Sequence, residues 1–213
     1  MSATSLLLLI RHGETAWNAE HRIQGHLDIP LSPTGVQQAA RVAARLSSEP
    51  IDAVYASDLE RAASTAAPLA ERLGLAVHAD ARLRERSFGR LQGLTLQEIA
   101  ERHPAQYAHW RQRDIDWKPP DGESAHDFIA RVLLGISVVA EVGHRCAVVV
   151  THGGVLDVVY RAAHAMSWDA PRGHVMLNAS INRLQASAPP LRLSVLEWGD
   201  SAHLDLARDE FLT

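Results

Sequence analysis

Two short stretches constrain the fold of this 213-residue chain more than any other feature. Leu6 to Ile10 and Cys146 to Val150 are unbroken apolar runs. Each ends in a polar turn where histidine precedes glycine: Arg11-His12-Gly13 in the first, Thr151-His152-Gly153-Gly154 in the second. A run with no polar alternation fits a strand covered on both faces. Parallel strands of that kind need crossover connections, usually helices, and the sequence supplies them. Ser32 and Pro33 predict an N-cap and first turn for a helix to about Leu46, and Leu59 to Leu73 predicts another, stopped by Gly74. Ala53 to Ala56 reads as a strand between them. Thr95 with Glu98 forms a capping box, Pro104 restarts a helix, and Pro119-Pro120-Asp121-Gly122 is a rigid turn. Ser124 caps a long amphipathic helix to about Val142, and a further helix is expected from about Val155 to His164. Two alternating runs, Ser180 to Ala186 and Leu191 to Glu197, read as late strands.

These elements predict an α/β fold: a three-layer α/β/α sandwich with a mainly parallel central sheet and an antiparallel strand at its edge. A single domain is expected over 1–213, with a helical lid-like insertion at about 95–123. The segment after Gly199 is acidic and carries no readable pattern. Forty-six per cent hydrophobic residues are enough for a core of this size. A net charge of −4 gives no footprint for nucleic acid. The first apolar run is far shorter than the ~20 residues of a membrane span and lacks a basic leader, so a cytoplasmic location is expected. A single cysteine excludes an intramolecular disulfide. A homodimer through an edge strand or helix face stays open.

Ligands of doubly wound sheets bind beyond the carboxyl ends of the strands, where both His-Gly turns lie. Arg11 beside His12 offers paired donors suited to phosphate oxygens. In Ser57-Asp58-Leu59-Glu60-Arg61-Ala62, Ser57 or Asp58 is expected to cap a helix, which puts Arg61 in the first turn against the dipole. An anion nearby, or simple solvation, would offset that. Glu85, flanked by Arg84 and Arg86, reads on its own as an exposed ion pair. Cys146 has histidine rather than arginine six positions on, so a cysteine phosphatase loop matches only in part, and the cysteine is read as core. Twelve histidines show no metal-ligand spacing, and no glycine fingerprint for a nucleotide is present.

Taken in order, Arg11-His12-Gly13-Glu14-Thr15, Ser57-Asp58-Leu59-Glu60-Arg61-Ala62, Glu85 and Thr151-His152-Gly153-Gly154 resemble the histidine phosphatases of the phosphoglycerate mutase superfamily. Trp17-Asn18, Gln24-Gly25, Asp28, Pro30-Leu31-Ser32, Gly35 and Gly122-Glu123-Ser124 are similar as well, so the likeness runs to about residue 180. The resemblance implies a phosphoglycerate mutase-like fold and a metal-independent phosphomonoester hydrolase with no cofactor, acting on a small phosphorylated metabolite. It implies His12 as the nucleophile that becomes phosphohistidine. Arg11, Arg61 and His152 would compensate the phosphoryl charge, and Glu85 would be the general acid. An imidazole attacks only when neutral, which nearby cations favour. A carboxyl beside a phosphate dianion holds its proton more firmly, which suits a general acid. Asn18, Gln24, Gly25, Glu123 and Gly153 are the implied substrate contacts, with Asn178 a further candidate. Trp110 and Trp117, near the proline turn, suggest a substrate lid, and Trp17 is weighed with them.

Two alternatives accompany this reading. A cofactor-dependent phosphoglycerate mutase would share Leu91-Gln92-Gly93-Leu94 and Gly122-Glu123-Ser124 but usually carries paired arginines between them, where this chain has only the separated Arg102, Arg111 and Arg113. A non-catalytic phospholigand-binding protein would not need both a nucleophile and an acid.

Overall fold

The computed structural model describes residues 4–205. Six strands form one sheet: β1 (Ser5–Arg11), β2 (Ala53–Ala56), β3 (Val77–Ala79), β4 (Cys146–Thr151), β5 (Ile181–Ser187) and β6 (Arg192–Asp200). Their spatial order is β3-β2-β4-β1-β5-β6. The first four are mutually parallel, β5 runs antiparallel to β1, and β6 runs antiparallel to β5. The antiparallel strand is therefore interior, not at the edge as the sequence suggested. β5 returns against β1, and β6 takes the edge by pairing back on β5. β3 was not legible in the sequence because it is only three residues long, with Val77 half-buried and His78 and Ala79 exposed, and so carries no apolar run.

The helices are α1 (Ala16–Ala19), α2 (Pro33–Leu46), α3 (Glu60–Leu73), α4 (Leu96–Arg102), α5 (Pro104–Gln112), α6 (Ala125–Glu141) and α7 (Gly153–Ala163). The unbroken apolar runs have the cause expected of them. Leu8, Ile10, Val148 and Val150 face Val42, Leu46, Ala66 and Leu69 of α2 and α3. Their sequence neighbours Leu7, Leu9, Ala147 and Val149 face Phe128, Val132, Ile136 and Val159 of α6 and α7. Both faces of β1 and β4 are thus dry, at about 25 cal/mol for each Å² of apolar surface removed from water.

The expected caps form. The Ser32 hydroxyl accepts from Gly35 N at 3.1 Å, Thr95 and Glu98 cap α4 reciprocally at 3.1 and 2.9 Å, and Ser124 accepts from Asp127 N at 3.0 Å. Gly74 stops α3 at φ 66°. At the start of α3 the sequence reading fails: Leu59 is the N-cap and makes no side-chain cap. Asp28, from a distant loop, accepts from Glu60 N at 2.7 Å instead, while Asp58 grips Arg84 with two 2.6 Å bonds. The segment after Gly199 is described only to residue 205, and its remainder lies outside the described residues.

Candidate active site

The register of two neighbouring strands assembles the centre. Parallel pairing of β1 with β4 matches Leu6 to Cys146 and continues to Arg11 opposite Thr151. The next residue of each strand is a histidine, so His12 and His152 meet at the carboxyl edge although most of the chain separates them. Their ring centroids lie 5.2 Å apart, and His12 N donates to the Thr151 carbonyl at 2.8 Å. A hydrogen-bond relay then draws in α3: Gly13 N donates to Thr65 Oγ1 at 3.0 Å, and that hydroxyl donates to the Arg61 carbonyl at 2.7 Å.

His12 Nδ1 lies 2.7 Å from the Gly13 carbonyl, which can only accept. Nδ1 therefore carries the hydrogen in the neutral ring, and the Nε2 lone pair is left for chemistry. Burial first, then the Arg61 and Arg11 charges, hold the His12 pKa well below the usual histidine value, against a smaller opposing pull from Gly13. Burial, Arg61, His12 and Arg11 do the same to His152. Without a bound anion His152 is a neutral donor, not the cation that charge compensation would suggest. Neither of its ring nitrogens hydrogen-bonds to the protein among the described residues, an arrangement buried groups rarely adopt away from a ligand site.

Arg11 donates from Nη1 to the Met176 carbonyl. Arg61 donates from Nη1 to the Leu27 carbonyl at 2.8 Å and from Nη2 to the Gly25 carbonyl at 2.7 Å, pinning the Gln24-Gly25 turn. Gly25 has φ +53°, and a Cβ there would lie 2.1 Å from Gln92 Oε1. Glu85 is buried, not the exposed ion pair its neighbours implied. Its Oε1 accepts from Arg86 N at 2.8 Å and its Oε2 from Gly154 N at 2.9 Å, so the carboxylate caps the first turn of α7. A Cβ on Gly154 would sit 2.1 Å from Glu85 Oε1, which makes glycine the residue that fits. The His26 ring donates to the Glu85 carbonyl at 2.7 Å.

A cavity of about 890 Å³ opens beside these groups, and His152, fully buried next to His12, does not line it. Arg11, His12, Arg61, Glu85, Gln24 and Gly25 line it, as do Trp110 and Trp117 from residues 95–123. Gln24 Oε1 is buried and has no protein donor among the described residues. Three expected substrate contacts do not line the cavity. Asn18 is turned into the α1 capping box, where Oδ1 accepts from Thr15 N at 2.9 Å. Glu123 is clamped by two 2.8 Å bonds from Arg131, and Gly153 is buried at the start of α7. Asn178 reaches the site through the backbone, donating to the His12 carbonyl at 3.1 Å. Trp17 lies against Gly93, outside the cavity. Cys146 is buried in β4, and burial with Glu49 and Asp52 nearby pushes its thiol up to about 11, which disqualifies it as a thiolate nucleophile.

Sequence reasoning missed Arg86 and Asp157. Arg86 lines the cavity, donates to the Glu123 and Trp117 carbonyls at 2.9 and 3.0 Å, and is drawn down by burial to about 10. Asp157 is buried on α7 with Arg161 at 2.9 Å and His174 at 2.9 Å. A charged i,i+4 pair inside an otherwise apolar helix was the available signal.

Residues 7–199 match the family model for the histidine phosphatase superfamily, branch 1. The chain is 40% identical over 205 residues to phosphoglycerate mutase-like protein 4 of Arabidopsis thaliana, covering 93% of this chain and 86% of that one. It is 37% identical over 210 residues to the metal-independent phosphoserine phosphatase of the same plant, covering 95% and 84%. The structure of mycobacterial glucosyl-3-phosphoglycerate phosphatase superposes with a TM-score of 0.79 at 33% identity, covering 93% of this chain and all of the other. Phosphatases thus stand among its relatives by sequence and by fold. With His12, two buried arginines and a carboxylate on one cavity, and His152 brought beside His12 by strand register, the chain belongs to the histidine phosphatase superfamily, branch 1.

Proposed function

We propose that this chain is a metal-independent phosphomonoester hydrolase that works through a phosphohistidine on His12. The observation that carries the reading is His12 with Arg11, Arg61 and Glu85 on one cavity, the buried His152 imidazole lying 5.2 Å from the His12 ring. His12 Nε2 attacks phosphorus in line while Nδ1 stays anchored on Gly13. Arg11 and Arg61 offset the negative charge on the equatorial oxygens, and His152 adds an N–H donor. Glu85 gives a proton to the departing alkoxide and afterwards takes one from the water that cleaves the N–P bond. Hydrogen bonds from Arg86 N and Gly154 N hold its carboxyl without using all of its lone pairs. Gln24 and Gly25 contact the substrate, and residues 95–123 act as a lid on a single 1–213 domain.

A mutase is the second reading, favoured by the names of several relatives. Water is preferred as acceptor because two of the further cavity arginines, Arg22 and Arg113, are paired with Glu98 and Asp157 at 2.8 and 3.3 Å, which leaves Arg111 without a paired arginine beside it in sequence for a second phosphate. The test is His12→Ala: phosphate release from an alkyl phosphate disappears, and an acid-labile, base-stable phosphoenzyme trapped with the wild type is absent from the variant. Undiminished turnover by His12→Ala refutes the nucleophile. Rapid interconversion of 2- and 3-phosphoglycerate, primed by the bisphosphate, establishes the mutase instead.

A further inference from the structure

The chain is poor in aromatic residues, and it concentrates them in one place. Of its five Trp, three Tyr and three Phe, six line the cavity: Phe88, Tyr107, Trp110, Trp117, Phe128 and Trp168. Large rings ordinarily go to the core. Here Phe128 is the one fully buried aromatic in the two main core clusters, Tyr55, Trp168 and Trp198 pack partly buried against one of them, and Phe88, Tyr107, Trp110 and Trp117 belong to neither. Partly exposed rings gathered on a concave wall mark a ligand surface.

The rings differ in what covers them. The Arg86 guanidinium lies over both Phe88 and Trp117, at 5.3 and 5.6 Å, Trp117 lies parallel to His109 at 5.9 Å, and Trp168 carries Arg113 at 4.9 Å, whereas Trp110 has no cation over its ring among the described residues. Phe88 and Trp110 contact each other at 5.0 Å, inclined by 40°, and present the partly exposed aromatic pair of the wall. Several of the polar groups around them are committed to one another, while Gln24 Oε1 and the Arg111 guanidinium, also on the wall, have no protein partner among the described residues. Glu20 pairs with Arg22 at 2.8 Å, His109 with Asp114 at 3.2 Å, and Asp157 with Arg161 and Arg113 at 2.9 and 3.3 Å. Gln97 donates to Glu101 at 2.9 Å. An arene needs only a face, and the rings along this wall supply it. A cavity of about 890 Å³ holds a phosphate and a ring together.

We propose that the alcohol half of the substrate bears an aromatic or heteroaromatic ring, which packs on the Phe88–Trp110 pair while its phosphate meets His12. This rests on the phosphatase reading and specifies its substrate class. Substrates with primary alkyl leaving groups keep intrinsic reactivity nearly constant, so ring preference is measured without the bias of a good leaving group. Benzyl, 2-phenylethyl and 3-phenylpropyl phosphates are compared with n-propyl phosphate, phosphoserine and glucose 6-phosphate. The best ring ester exceeds every ring-free or sugar ester in kcat/KM by about tenfold or more. Trp110→Leu brings that ratio down to within about threefold of unity, chiefly through KM, as loss of a stacking face requires. Trp17→Leu, whose ring is outside the cavity, leaves the ratio as it was.

Equal turnover of ring and ring-free esters, preference for glucose 6-phosphate, or a ratio indifferent to Trp110→Leu overturns the inference and leaves the phosphatase standing. No phosphate release from any ester, at a level indistinguishable from His12→Ala, overturns the phosphatase reading itself and the inference with it.

Discussion

Replacing Gly154 with alanine separates catalysis from stability at one atom. The added Cβ would lie 2.1 Å from Glu85 Oε1, and Cβ atoms essentially never come closer than 3.0 Å to a neighbour, so the carboxylate must retreat by about 1 Å or more. Retreat loosens the bonds from Gly154 N and Arg86 N that aim it, now 2.9 and 2.8 Å. Losing that cap costs about 1 kcal/mol, and alanine in place of glycine in the first turn of α7 returns up to about 1 kcal/mol. The two nearly cancel, and Tm shifts by only a few degrees. Activity has no such compensation: a reacting group misplaced by about 1 Å costs roughly 10²-fold, near 2.7 kcal/mol of barrier. Phosphate release by Gly154→Ala is measured on n-propyl phosphate and p-nitrophenyl phosphate. The loss in kcat/KM is larger for the propyl ester, because p-nitrophenolate leaves without a proton. An equal loss on both esters refutes leaving-group protonation by Glu85, and unchanged kcat/KM with unchanged Tm refutes the claim that its position matters.

Both His12 and His152 keep their folded-state pKa well below 6.5. Below pH 6.5 the unfolded chain therefore binds up to two protons that the native state refuses. Their stabilising contribution is complete above pH 6.5 and is lost as pH falls, with a slope approaching about 1.4 kcal/mol per pH unit for each histidine. Urea midpoints from pH 7.5 to 5.5 should drop accordingly, with a shallower drop in His152→Gln; a flat wild-type profile contradicts the burial argument. Arg61→Lys keeps the charge but loses the fork that holds the Gly25 and Leu27 carbonyls, so kcat/KM falls by roughly 10²-fold, and a loss under threefold would show the fork is dispensable. Phosphate release is expected to survive excess chelator; loss restored by one added metal reverses the metal-independent assignment.

Strand existence and order of function were written locally. Leu6 to Ile10 and Cys146 to Val150 declare buried strands because nothing polar interrupts them, and the residues that follow declare a polar turn. Caps such as Ser32, Thr95 and Ser124 are local too, since each bonds within three residues. Where a cap came from elsewhere the sequence misled: Asp28 serves α3 across 32 positions, leaving Asp58 to Arg84. The same holds for Glu85. Its arginine neighbours suggested a solvated pair, yet its partners are backbone N–H groups, one of them 69 residues away. Glu123 shows the converse, a carboxylate in a suggestive motif whose bonds to Arg131 turn it to support.

From the sequence alone came the α/β class, the two His-Gly turns and the residue types a phosphoryl transfer would need, because periodicity, capping and turn chemistry act over a few residues. Tertiary structure decided which of those groups meet, how deeply each is buried and which polar atoms are already taken. Those properties arise when β1 and β4 align in register and bring distant segments into a space from which water is largely excluded, where a charge or an open lone pair has an energy no local pattern encodes.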